Sequence, residues 1–230
     1  MLKDWTKFEK VWLALFAVVN IYLFFALHDT IIGLVSSLSG MICVVLVAKG
    51  KMSNYYFGIV QTATYAYISY TYGLFGEAMI YGIVYLPMQF IGIYLWSKNN
   101  KKKEVESTKG EDVEVKRLSI KGMALLLLVT ALLSLGYAEV LKLIGGQQVR
   151  IDSVAVVVSV MANILMLKRY AEQWFLWIIV NVLSITLWII TLVNSDGNSW
   201  SMLIMYSAFF VNSLYGYINW IKMSKKQEAK

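Results

Sequence analysis

Residues 173–188 read Q-W-F-L-W-I-I-V-N-V-L-S-I-T-L-W. Wound into a helix, Trp174, Trp177, Asn181, Ser184 and Trp188 share one face, and Ile, Val and Leu fill the other. The stretch is close to the ~20 apolar residues that cross a bilayer. A stripe of indoles and small polar groups has no business facing hydrocarbon, so the rest of the chain is expected to enclose it.

The composition agrees with a membrane setting. Of 230 residues, 59% are hydrophobic and 15% charged, with a single proline; a soluble domain carries about 25% charged residues. The expected fold class is an all-α polytopic membrane protein with eight transmembrane helices. Cys43 is alone in an apolar run, which excludes a disulfide framework and a thiolate metal site. His28 is the only histidine, so neither a metal site nor a cofactor is expected. The first apolar run follows Lys7 and Lys10, lacks a small-x-small cleavage site and is followed at once by another span, so no cleavable signal is expected.

Outward from 173–188, the spans read 11–27, 30–48, 54–74, 77–96, 122–144, 152–167, 173–193 and 200–221. Span 30–48 holds the small residues Gly33, Ser36, Ser37 and Gly40, which let helices approach closely in lipid. Span 54–74 is polar and aromatic for a membrane segment, with Asn54, Gly58, Gln61, Tyr65 and Ser69 on one face. Span 77–96 puts Tyr85, Gln89, Gly92 and Trp96 together, with a kink expected at Pro87. Segment 97–121 is charged, of mixed sign and without periodicity. Span 122–144 is oily nearly all round, with Glu139 and Lys142 positioned to pair near its end.

Charge orients this plan. With the amino terminus inside, all 21 Lys and Arg except Lys142 and Arg150 fall in inner segments. That asymmetry is the positive-inside pattern, and it places both termini in the cytoplasm. It also explains the net charge of +7 without nucleic acid. The partners expected are the lipid bilayer and a small molecule.

An internal repeat divides the chain. L-V-A-K-G-K-M-S-N-Y (46–55) lies over L-M-L-K-R-Y-A-E-Q-W (165–174), and I-G-I-Y-L-W (91–96) over Y-G-Y-I-N-W (215–220). The organisation expected is an extra amino-terminal helix (1–29), a three-helix repeat (30–96), a charged linker (97–121), a linker helix facing lipid (122–146), a second repeat (147–221) and a basic tail (222–230). One connecting span makes the two repeats parallel, a known plan for transporters built around a central pathway.

At this level the chain resembles the PnuC family of vitamin-precursor transporters, which share a 3+1+3 plan with the SWEET sugar transporters. The likeness is carried by W-F-L-W at 174–177, matching the family's WxxW motif, with Asn181 a turn beyond. It extends to K-G-K-x-x-N-Y-x-F-G-x-V-Q (49–61), P-M-Q-F-I-G (87–92) and N-S-L-Y-G-Y-I-N-W (212–220), and covers residues 30–221. The resemblance implies uptake of nicotinamide riboside by facilitated diffusion, trapping by cytoplasmic phosphorylation and a homotrimer in the bacterial inner membrane. Relatives in the family move thiamine or riboflavin instead.

The substrate-binding residues expected are Trp174, Trp177, Asn181, Gln61, Tyr65, Gln89, Asn212 and Tyr215. The two tryptophans carry over from the WxxW motif; the others are placed by face and depth. Indole faces suit a cationic aromatic ring, at roughly 0.5–2 kcal/mol per contact. Asn and Gln offer donors and acceptors to a carboxamide or a ribose. Trp174, five residues after Arg169, also fits an interfacial anchor, and Asn181 a helix–helix hydrogen bond. Gly58, Pro87, Gly92 and Gly216 fit either hinges or close-packing points. No acid sits near midspan, where ion-coupled carriers place them. That favours a passive carrier rocking two repeats about a central site. No nucleophile, acid/base or metal set converges at one depth, so no catalytic residue is assigned and an enzyme is not expected.

Overall fold

The computed structural model describes residues 5–27, 30–71, 78–104, 113–143, 149–194 and 200–228. The chain falls into two compact units, Met1–Val113 and Glu114–Lys230. The connections at 28–29, 144–148 and 195–199 lie outside the described residues.

Unit 1 contains α1 (Lys7–Leu27), α2 (Ile31–Ala48) and α3 (Asn54–Thr71). A π-helical stretch, Ile80–Tyr85, then runs directly into α4 (Leu86–Glu104). Thr30 caps α2, its hydroxyl accepting from the Gly33 N–H at 3.0 Å. The π-helix answers Pro87, whose ring in an α-helix would press on the carbonyl four residues back. The Leu86 N–H donates to the Tyr81 carbonyl, five residues back, which widens the turn just before the proline. Where a kink is expected at Pro87, the structure shows a π-helical turn just before it.

Unit 2 begins with residues 114–119, outside any helix, and continues as α5 (Ile120–Leu143), α6 (Val149–Leu167), α7 (Gln173–Asn194) and α8 (Trp200–Glu228). Two helices outrun their apolar cores: α4 continues past Trp96 into the charged segment, and α8 continues through the basic tail. Polarity marks where hydrocarbon ends, whereas the backbone ladder stops only where its hydrogen bonds do.

Packing order is the same in both units. In unit 1, α2 lies against α1 and α3, and α3 against α4; in unit 2, α6 lies against α5 and α7, and α7 against α8. The turns between the first two helices of each repeat match bond for bond. Gly50 and Arg169 both have φ 66°. The Gly50 N–H donates to Val47 and Lys51 N–H to Leu46, both at 2.9 Å; Arg169 N–H donates to Met166 at 3.0 Å and Tyr170 N–H to Leu165 at 2.9 Å. Each is a helix end closed by a residue in the left-handed region. Replacing Gly50 with alanine is expected to cost about 1–2 kcal/mol, seen as a lower thermal midpoint in detergent.

The oily α5 is not bare all round. Leu126, Thr130, Ser134 and Ala138 form a buried stripe of four-residue spacing. The Thr130 hydroxyl donates to the Leu126 carbonyl at 2.7 Å and the Ser134 hydroxyl to the Thr130 carbonyl at 2.8 Å, so both hydroxyls are satisfied within the helix. Leu125, Leu128, Leu132 and Leu135 stay exposed on the other side, as do Val11, Leu15, Val18, Tyr22 and Phe25 along α1. Such outward faces suit hydrocarbon as solvent. Between α1 and α2, the Ser37 hydroxyl donates to the Asn20 side-chain carbonyl.

Among the described residues, five helices are long and apolar enough to cross a membrane: Lys7–Ala26, Ile31–Ala48, Ile80–Asn99, Ile120–Leu143 and Val149–Leu167. A shorter apolar stretch is Gln173–Thr186. α3 and α8 are more polar, and both carry candidate site residues.

Candidate functional site

Each unit presents its own set of polar and aromatic side chains where the middle helix of the repeat meets the last. In unit 2, Trp174 is only 3% exposed. Its ring lies over Gly216, and its centroid is 6.2 Å from that of Trp220 at 73°. Glycine at 216 allows the indole to touch the backbone of α8. Deeper along α7, Asn181 is buried and its Nδ2 donates to the Ser213 hydroxyl at 2.8 Å, while that hydroxyl donates to the Phe209 carbonyl at 2.8 Å. Asn212 is buried, and Tyr215 is half-buried.

Unit 1 repeats the wedge with different residues. Tyr55 lies over Gly92 and packs edge-on against Trp96, centroids 5.1 Å apart at 89°. Gln89, 5% exposed, lies over Gly58, and its Nε2 donates to the Tyr85 carbonyl at 3.4 Å. Its Oε1 is buried and finds no donor among the described residues, an acceptor held ready in an apolar surround. Tyr65 lies against Tyr81 with centroids 4.3 Å apart and rings tilted by 42°, and Tyr81 meets Tyr85 edge-on at 5.1 Å. The π-helical stretch supplies both Tyr81 and Tyr85 to this cluster.

Residues 30–222 match the family model described as nicotinamide mononucleotide transporter. The chain belongs to that family. It is 40% identical over 226 residues to the nicotinamide riboside transporter PnuC of Neisseria mucosa, covering 98% of this chain and 85% of that one. Its identity to the nicotinamide riboside transporter PnuC of Haemophilus influenzae is 41% over 222 residues, covering 96% and 93%. A crystal structure of the vitamin B3 transporter PnuC superposes with TM-score 0.83 at 39% identity, covering 97% of this chain and 94% of that one. The family consists of multi-pass membrane transporters, and its named members here are transporters rather than enzymes.

Within this family member, the expected residues differ in what they touch. Asn181 reaches Ser213, Asn212 is buried one residue before that serine, and Tyr65 and Gln89 are joined through Tyr81 and Tyr85. Trp174 and Tyr215 border Gly216, Trp174 as a buried wedge in the manner of Tyr55. Trp177 and Gln61 stand apart from these contacts. Trp177 is half-buried against the apolar cluster of Leu126, Val158, Ala162, Leu165, Leu176 and Val180, and Gln61 is half-buried on α3. The side chain of Trp188 lies outside the described residues.

Ser213, Tyr81 and Gln173 escape the reading of the sequence. Ser213 is an unremarked serine until Asn181 reaches it across two helices. Tyr81 has a signal in its four-residue spacing from Tyr85. Gln173 is fully buried, and neither polar atom of its side chain has a partner among the described residues. The overlay of 46–55 on 165–174, which pairs it with Asn54, is its only hint: Asn54 is also fully buried, at the start of α3.

Proposed function

We propose that this chain carries nicotinamide riboside into a bacterial cell across the cytoplasmic membrane. The observation carrying the reading is the match, at about 40% identity over nearly the whole chain, to two relatives named nicotinamide riboside transporters. The chemistry of the candidate residues supports it. Trp177 offers a face to a cationic pyridinium, and Gln61, Gln89, Asn181 and Asn212 offer amides to the carboxamide and ribose, with Trp174, Tyr65 and Tyr215 alongside. None of these residues is Arg or Lys, so a phosphate would enter without a counter-charge. The riboside is therefore the substrate, and the phosphorylated nucleotide is not.

Transport is passive on this reading: a uniporter with alternating access between its two repeats, drawn downhill by phosphorylation of the product inside. The lack of acidic residues near midspan supports this. Both termini are cytoplasmic, supported by the placement of Lys and Arg. The assembly is a homotrimer on the strength of the family resemblance, and light scattering in detergent tests it as three times the chain mass.

The deciding experiment is calorimetric titration of the purified protein with nicotinamide riboside, thiamine, riboflavin and nicotinamide mononucleotide. The riboside is expected to bind and the nucleotide to give no heat. Trp177→Ala is expected to weaken riboside binding about thirtyfold, the value of one desolvated cation–π contact of about 2 kcal/mol. Thiamine binding in place of the riboside overturns the substrate and leaves the carrier. Unchanged affinity in Trp177→Ala removes that indole from the site.

A further inference from the structure

Glu172 lies two residues before Trp174 and is 5% exposed, yet it belongs to neither set of candidate residues. Its main chain and side chain act in opposite directions. Its carbonyl accepts from the Phe175 N–H at 3.1 Å and the Leu176 N–H at 3.4 Å, so it opens α7. Its carboxylate accepts from Arg117 Nε at 2.8 Å and from the Leu118 N–H at 3.1 Å. Around that point the segment before α5 is sewn down along its length. The Lys116 N–H donates to the Arg169 carbonyl at 2.8 Å, and the Ala171 N–H donates to the Lys116 carbonyl at 3.0 Å. The Val115 N–H donates to Gln227 Oε1 on α8 at 2.9 Å.

We infer that Glu172 is a positioning residue for substrate binding: by holding the 115–118 strap on the α6–α7 turn, it fixes where α7 starts and so where Trp174, Trp177 and Asn181 stand. A buried carboxylate is costly unless charge and hydrogen bonds meet it, and here one cation and one amide do so from the strap alone. The recurrence in unit 1 argues that the tie has a purpose. There Glu9, on the helix before the repeat, accepts from Lys49 in the equivalent turn at 2.7 Å. The acid and base have exchanged sides, and the turn is again tied to chain at the amino-terminal end of the helix before the repeat.

The inference rests on the proposed substrate for its affinity readout only. The full-length Glu172→Gln, Glu172→Asp and Arg117→Gln variants are compared with the parent in detergent. Hydrogen exchange of the amides at 115–118 and 175–176 is measured beside riboside affinity. In Glu172→Gln, exchange in both segments is expected to speed up, and affinity to fall about tenfold, as for side chains coupled to a site through packing. Glu172→Asp, which keeps the charge, is expected to stay nearer the parent, and Arg117→Gln to shift the same way as Glu172→Gln by less. Faster exchange of the strap with affinity unchanged overturns the inference, as does unchanged exchange at 175–176. Should Glu172→Gln fail to fold, Arg117→Gln carries the same two arms. If the parent binds no riboside, the substrate reading has failed, and exchange at 175–176 still decides whether Glu172 positions α7.

Discussion

Lys49→Met is expected to destabilise unit 1 by about 3–5 kcal/mol, a larger effect than any other substitution named for this chain. The Lys49 Nζ stands 2.7 Å from Glu9 Oε2, with side chains 8% and 2% exposed. The Trp5 ring also lies under the ammonium, 5.2 Å from its centroid. Glu9 is held in place independently, because the Thr6 N–H donates to its Oε2 at 2.8 Å and its own N–H donates to the Thr6 hydroxyl at 3.2 Å. This capping box keeps the carboxylate buried after its cation has gone. Scanning fluorimetry in detergent reads the fall in midpoint. A Glu9→Met, Lys49→Met double variant is expected to recover most of the loss, since apolar pairs of similar volume replace buried ion pairs at little cost. Equal destabilisation in the single and double variants would show that the effect is lost packing and not an orphaned charge.

Gly216→Ala is expected to cost about 1–3 kcal/mol by overpacking and to displace the indole at the start of the WxxW motif. The added methyl would stand 2.6 Å from Cε2, Cη2 and Cζ2 of Trp174. Those atoms belong to a rigid, buried ring held edge-on by Trp220, so the contact cannot be relieved by swinging a side-chain tip. Trp174→Phe in the same chain returns the space and is expected to restore part of the midpoint. In unit 1, Gly92→Ala meets Tyr55 at 2.1 Å from Cε1 and follows the same logic. A Gly216→Ala protein that melts with the parent would mean that α7 and α8 slide apart freely here, and the wedge would lose its meaning. Gly92 and Gly216 are places of close packing.

Much of this molecule is legible in its residues alone. Runs of apolar residues, a dearth of charge and lopsided Lys and Arg give a multi-pass helical membrane protein, because a bilayer tolerates few alternatives. The overlay of 46–55 on 165–174 is visible in the letters, and the two turns share φ 66° although one uses Gly50 and the other Arg169. Less legible is the conformation of charged stretches. The charge of 97–121 says that it lies outside hydrocarbon, but not that α4 runs on into it or that Arg117 is pinned to a residue 55 positions further along the chain.

For the candidate site the division is sharper. Sequence alone determined the candidates, since Trp, Tyr, Asn and Gln on the faces of apolar helices stand out by contrast with their neighbours. Only the tertiary structure decided what each one touches: Asn181 spends a donor on Ser213, Trp174 wedges against Gly216, and Gln89 keeps a buried acceptor without a donor among the described residues. Helical periodicity is a property of one helix by itself. A wedge, a cross-helix hydrogen bond or a strap depends on which second helix comes within about 3 Å, and that distance is set by packing between residues far apart in the chain.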